Sequence, residues 1–178
     1  FILSCQPVEI FKPIEIDISN FEKISINAKE IKINTKYNPV FAKNNIEDQI
    51  QNPPIDIMTK WNKNNIIKLG NENKLVINII DASITKNEIE KVDAKKYEEK
   101  TIFIYELFFL VEYELYDSSG FLKANTTVET QRSTTSQKYI SLNDTEIIIN
   151  ELIFSALNDY INETKNQLSI YMWEYLSI

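Results

Sequence analysis

The chain has 178 residues, of which 43% are hydrophobic and 25% charged, and this is the composition of a single globular domain. It contains no histidine, one cysteine and two glycines. These counts exclude histidine-based catalysis, an internal disulfide and a glycine-rich nucleotide loop within this sequence. We therefore expect no cofactor and no metal site.

The net charge of −7 is unevenly distributed along the chain. Residues 1–100 carry 15 acids and 15 lysines, whereas the remainder carries 11 acids and 4 bases. A surface of this sign repels phosphate backbones, so we expect no binding to nucleic acid. Two interpretations of the C-terminal acidity stay open: a solvated helix face, or a docking surface for a basic partner.

The first residues suggest a lipid anchor. The chain starts Phe1-Ile2-Leu3-Ser4-Cys5, without an initiating Met, so the start is either processed or cropped. A short apolar run, a small residue and a cysteine resemble a bacterial lipobox, in which the cysteine is diacylated. The resemblance implies lipidation of Cys5. The alternative is an apolar strand with a buried thiol.

The next residues have the character of a tether. Pro7 and Pro13 hold an extended chain and prevent a helix. We therefore assign residues 1–20 to a signal remnant and extended tether, and residues 21–178 to one domain. No run of 18 or more apolar residues follows, so no membrane-spanning helix is predicted.

The first half of the domain alternates strands with a short helix. Apolar residues alternate from Ile24 to Ile33 with one slip, which predicts a single strand with a β-bulge near Lys29. Pro53-Pro54 starts a short helix that ends before Gly70. A buried strand over 75–84 follows, and 86–100 is predicted as loop or irregular helix.

The strongest strand signal covers Thr101 to Tyr116, where every odd position from residue 103 is apolar. The turn Asp117-Ser118-Ser119-Gly120 predicts a hairpin. Pairing Tyr116 with Phe121 would place Glu114 opposite Lys123, an ion pair on the solvent face.

From Asn143 the apolar period becomes 3.6, with Glu146 completing a capping box. The predicted core stripe of this long helix extends to Tyr171 and Tyr175. The fold class is therefore α+β, with two layers: an antiparallel-rich sheet, and a short helix and a long C-terminal amphipathic helix on one face.

Two groups of polar residues are candidates for chemistry. Glu106, Glu112 and Glu114 share one strand face, and carboxylates at such spacing serve in glycoside hydrolases. The hydroxyl-rich segment Arg132–Ser136 carries the sole arginine and could contact a phosphate or a sugar. We interpret both as solvated surface, and we predict that the protein is not an enzyme.

The last nine residues are apolar on every side of a helix. Four of them lie outside or beside the core stripe, and we predict that these four bind a partner protein: Ile170, Met172, Trp173 and Leu176. The alternative is that the N-terminal segment or the 36–52 loop covers them.

The order of elements, together with the lipobox-like start, is similar to that of small bacterial envelope lipoproteins. The lipopolysaccharide-assembly lipoprotein family and the ABC-type transport auxiliary lipoprotein family are the two that it resembles. The resemblance implies a non-catalytic accessory protein that binds envelope proteins or lipid in transport or assembly, and Gln6 after the cysteine favours the outer membrane. A soluble adaptor without a lipid anchor and a carboxylate-based hydrolase remain as alternatives.

Overall fold

A computed structural model describes residues 16–39, 44–91 and 100–177. In this part of the chain, strands and helices follow in the order β1 (Ile24–Ile26), β2 (Glu30–Thr35), α1 (Pro54–Asn65), β3 (Ile66–Lys68), β4 (Lys74–Glu90), β5 (Thr101–Tyr116), β6 (Leu122–Gln137), α2 (Leu142–Tyr171) and β7 (Leu176–Ser177). The strands form a four-stranded sheet, β2-β4-β5-β6, and a three-stranded sheet, β3-β1-β7. The predicted α+β class is confirmed.

Strand β5 lies inside the larger sheet and has the predicted bounds. It pairs antiparallel with both β4 and β6. Its odd positions from Tyr105 to Leu115 are buried, whereas the even positions are partly exposed. The alternation therefore separates a core face, which the helices cover, from an open face.

The β5–β6 hairpin has its predicted turn but a different register. Gly120 adopts the predicted left-handed conformation, with φ of 84°. Tyr116 pairs with Leu122, not with Phe121, and Glu114 faces Asn125, so the predicted ion pair with Lys123 is absent from the register. The Asp117 carboxylate accepts the N–H of Phe121 at 3.0 Å and so retains this residue in the loop.

Strand β4 is longer than predicted and continues to Glu90, so the start of the predicted 86–100 loop is strand. A register shift between Ile79 and Asp81 moves the buried positions from odd to even numbers. Residues 92–99 of the predicted loop lie outside the described residues.

The predicted single strand over 24–33 is wrong. Strand β1 pairs in parallel with β3, whereas β2 pairs in parallel with β4 in the other sheet. The change of phase near Lys29 marks the point where the chain crosses between sheets. Gly70 packs against this crossing, where an added Cβ would lie 2.8 Å from the Ala28 nitrogen, so the close approach requires glycine.

Both helices pack on the core face of the larger sheet. Trp61 of α1 meets Tyr160 of α2 edge-on, with ring centroids 5.5 Å apart. Phe109 of β5 packs against the same tyrosine at 5.8 Å. Tyr160 therefore connects the short helix, the long helix and the central strand.

A buried polar cluster joins the same three elements. The hydroxyl oxygens of Tyr113 and Tyr160 lie 2.5 Å apart. The Asn62 amide accepts from Tyr113 at 2.9 Å and donates to Tyr160 at 3.0 Å. Burial raises the pKa of Tyr160 to about 12 and that of Tyr113 well above its usual value, so both hydroxyls are neutral at pH 7. The three side chains satisfy one another where water does not reach.

The N-cap of helix α2 lies two residues earlier than predicted. Ser141 is its N-cap, and the Ser141 hydroxyl accepts from the Asp144 N–H at 3.0 Å, in place of the predicted box at Asn143 and Glu146. The helix ends at Tyr171, whose side chain is exposed and not part of the core. No helix in the described ranges has both the length and the hydropathy to cross a bilayer.

Residues just before position 21 contribute to the core. Ile16 and Ile18 are buried, although the sequence placed both in the tether. The Phe21 carbonyl accepts the Asn65 amide at 2.9 Å, which fixes this segment to the end of α1. Cys5 lies outside the described residues.

Candidate interaction surface

Five large apolar side chains are exposed at one end of the domain, each with 50–72% of its surface accessible. They come from the hairpin loop, the start of β6, the end of α2 and the turn that follows it. We call them the end patch: Phe121, Leu122, Ile170, Tyr171 and Trp173.

Contacts between α2 and β6 bring these residues to the same end. Arg132 and Asp159 form an ion pair at 2.5 Å, and further along Thr126 donates to Gln167 at 3.0 Å. The helix therefore runs antiparallel to the strand. Continuing past the second contact leads to the start of β6 and the end of α2.

The structure divides the four predicted partner-binding residues. Ile170 and Trp173 are exposed, Leu176 is half-buried opposite Ile26 in the smaller sheet, and Met172 is only 1% exposed. Met172 leaves helical geometry, with φ of −131° and ψ of 20°, and its side chain joins the core. A buried Met172 cannot contribute contact area, so the surface available at the C-terminal turn is Ile170, Tyr171 and Trp173.

Sequence reasoning missed three members of the end patch. It paired Phe121 and Leu122 within the hairpin and placed Tyr171 in the core stripe. The available signal was the turn itself, because an aromatic directly after a left-handed glycine lies at a hairpin tip, away from the core.

The end patch has the composition of a protein contact. Three of its five side chains are aromatic, and two exposed charged residues, Lys123 and Glu174, flank it in the sequence. Aromatic residues are enriched and charged residues depleted at the centre of protein interfaces. Large exposed apolar patches are typical of interaction sites.

The candidate carboxylates lie on the open face of the larger sheet. The Asn78 amide donates to Glu112 at 3.2 Å and to Glu114 at 2.8 Å, and the Lys36 ammonium lies 3.8 Å from Glu112. A glycosidase pair needs an acid and a base that face each other across a substrate. Here two adjacent carboxylates accept from one amide, which is an arrangement that stabilises the sheet surface.

The arginine of the hydroxyl-rich segment is engaged in a structural contact. Arg132 forms an ion pair with Asp159 of α2. Its guanidinium, which the sequence analysis considered as a contact for a phosphate or a sugar, therefore binds a carboxylate of the same chain. Across the described ranges, no cluster of three or more acidic, histidine or cysteine side chains could hold a metal ion.

The structure is that of a small α+β domain with exposed apolar side chains at one end. No family model matches the sequence, and no curated protein matches it significantly. Among solved structures, the fold is similar to rare lipoprotein B from Shewanella oneidensis, with 12% identity, a TM-score of 0.40, and 78% of this chain and 95% of that chain covered. It is also similar to a minor lipoprotein from Acinetobacter baumannii, with 12% identity, a TM-score of 0.43, and 82% and 93% covered. These descriptions belong to those two proteins.

Proposed function

We propose that this protein is a non-catalytic, lipid-anchored accessory protein of the bacterial cell envelope. It faces the periplasm from the outer membrane and binds partner proteins in transport or assembly. The end patch is the observation that carries this proposal. The anchor is Cys5, and the contact residues are Ile170 and Trp173 together with Phe121, Leu122 and Tyr171.

The end patch supports binding because its five large apolar side chains remain accessible, whereas most large apolar residues of the described ranges fill a continuous core. Burying an exposed aromatic side chain is favourable by about 25 cal/mol per Å² of apolar surface. Trp and Tyr also carry a disproportionate share of binding energy at protein interfaces. A partner that covers Trp173 and its neighbours therefore gains affinity from the apolar contact itself.

We expect cells grown with labelled palmitate to incorporate the label into the protein through Cys5. Cys5→Ser is expected to abolish the label and to move the protein from the membrane fraction to the periplasm, because two or three acyl chains are enough for stable anchoring. Ser4→Ala is the matched control and keeps both signals. Label that survives Cys5→Ser would contradict lipidation of Cys5. A protein that binds partners but carries no label would be the soluble adaptor.

A photoreactive phenylalanine analogue in place of Trp173 is expected to give a discrete crosslinked band with an envelope protein. Phe121→Ser is expected to reduce this band at least tenfold, because it removes an exposed aromatic side chain from the same surface. The analogue in place of Tyr139, which is 82% exposed at the other end of α2, serves as control. Equal crosslinking at both positions would contradict docking at the end patch.

A further inference from the structure

A second apolar surface lies away from the end patch, in a groove between the segment 16–21 and the first half of α2. Its volume is about 750 Å³. Among the described residues, those that line it come from these two elements: Ile16, Asp17, Asn20, Phe21, Ile147, Asn150, Glu151, Phe154 and Ser155.

The helix residues of the groove form a second face of α2. Positions 147, 150, 151, 154 and 155 follow helical spacing and are offset from the face that packs on the sheet. Phe154 is 42% exposed and Ile147 is 38% exposed. The ring of Phe154 lies 5.7 Å from that of Phe21 on the opposite wall. The two rings therefore form a continuous apolar floor between the two walls.

Both walls are fixed by contacts to the rest of the fold. Ile16 and Ile18 anchor one wall in the core, and Asn65 binds the Phe21 carbonyl. On the other wall, Asn150 accepts from Asn52 at 2.8 Å. These contacts hold both walls in place, which is typical of small binding sites.

The rim of the groove is acidic. Asp17 and Glu151 line it, and no lysine or arginine is among the described residues that do. Hydrogen bonds from the Ser19 hydroxyl and backbone N–H lower the pKa of Asp17, so this carboxylate is ionised at neutral pH. Apolar floor and anionic rim together favour an apolar group that carries a positive charge.

We propose that this groove binds a short segment of a partner protein in which a large apolar side chain stands beside a lysine or arginine. The apolar side chain packs on Phe154 and Phe21, and the cationic group meets Glu151 and Asp17. The volume lies within the range of about 300–1,000 Å³ that is typical of ligand sites. Phe154 and Ile170 are 16 positions apart in α2, about 24 Å along the helix, so the groove is distinct from the end patch.

Fluorescence polarisation with two labelled hexapeptides tests this assignment. The first has two leucines and a phenylalanine among three lysines, and the second has glutamates in place of the lysines. We expect the intact protein to bind the lysine peptide at least tenfold more tightly. Glu151→Lys and Phe154→Ser should each weaken this binding about tenfold, since they remove the charge contact and the apolar contact respectively.

Tyr139→Ser is the matched control, because Tyr139 is exposed, does not line the groove and is not part of the end patch, so peptide binding should be unchanged. Glu151 is exposed, so Glu151→Lys keeps the fold, which circular dichroism verifies. Equal affinity for both peptides, or unchanged binding by Glu151→Lys, would overturn the proposal. Self-association that Phe154→Ser abolishes, without peptide binding, would assign the groove to a second copy of the chain and overturn it equally.

Discussion

Trp61→Ala is expected to destabilise the fold by about 3–5 kcal/mol, the usual cost of removing a fully buried large aromatic side chain. Trp61 has no exposed surface and packs edge-on against Tyr160. Its removal leaves a cavity where α1 meets α2. Domains of this size are stable by about 5–15 kcal/mol, so the loss is a large share of the total. Urea unfolding followed by circular dichroism measures it.

Trp61→Phe is the informative control. The indole N–H of Trp61 is buried and has no acceptor among the described residues. Phenylalanine keeps an aromatic ring against Tyr160 and removes this unpaired donor, and relief of such a donor offsets about 1–3 kcal/mol of the lost packing. We therefore expect Trp61→Phe to lose much less stability than Trp61→Ala. Equal losses would show that ring packing is not what Trp61 contributes.

Asn62→Ala is expected to lower the free energy of unfolding by about 2–4 kcal/mol, because it leaves buried hydroxyls short of partners and creates a small cavity. The Asn62 amide is fully buried and serves both Tyr113 and Tyr160. It also donates to the Met58 carbonyl at 3.0 Å. The same urea titration measures the loss.

Tyr113→Phe separates the cavity from the hydrogen bonds. It removes one hydroxyl and leaves Asn62 bonded to Tyr160, so we expect a loss of about 1 kcal/mol. In Asn62→Ala/Tyr113→Phe, the second change should cost less than it does alone, because its partner is already missing. Simple additivity of the two losses would contradict a shared cluster.

The sequence predicted those elements whose pattern is local and long. β5 has one face against the helices and one open over 16 residues, so strict alternation alone defined its bounds. The helix that starts after Pro53 and the long helix α2 were likewise visible, because their apolar faces repeat over several turns.

The errors arose where distant parts of the chain decide the structure. A β-bulge and a crossing between two sheets both shift the apolar alternation by one residue, so the pattern at Lys29 fits either. The two are distinguished by the partner strands, because β1 pairs with β3 and β2 pairs with β4. The smaller sheet escaped prediction because β3 and β7 have three and two residues. Strands this short carry no period of their own.

Only part of the end patch could be predicted from the sequence. Ile170 and Trp173 were identified because they depart from the core stripe of α2. The 3.6-residue period stops applying where the helix ends, at Tyr171, so the sequence could not place Met172 in the core or Tyr171 outside it. The groove depends on residues 16–21, and the sequence assigned residues 16–20 of this segment to the tether.

The position of Ile16 limits the distance between the domain and a membrane to which Cys5 is anchored. Ile16 lines the groove beside the first half of α2, and the end patch lies beyond the far end of that helix. With an acylated Cys5, the eleven peptide units up to Ile16 span at most about 36–40 Å, which sets the greatest height of this attachment point above the lipid headgroups. The domain would then be attached to the membrane near the start of α2. Trp173, beyond the other end of this helix, would be free to contact neighbouring proteins in the same membrane.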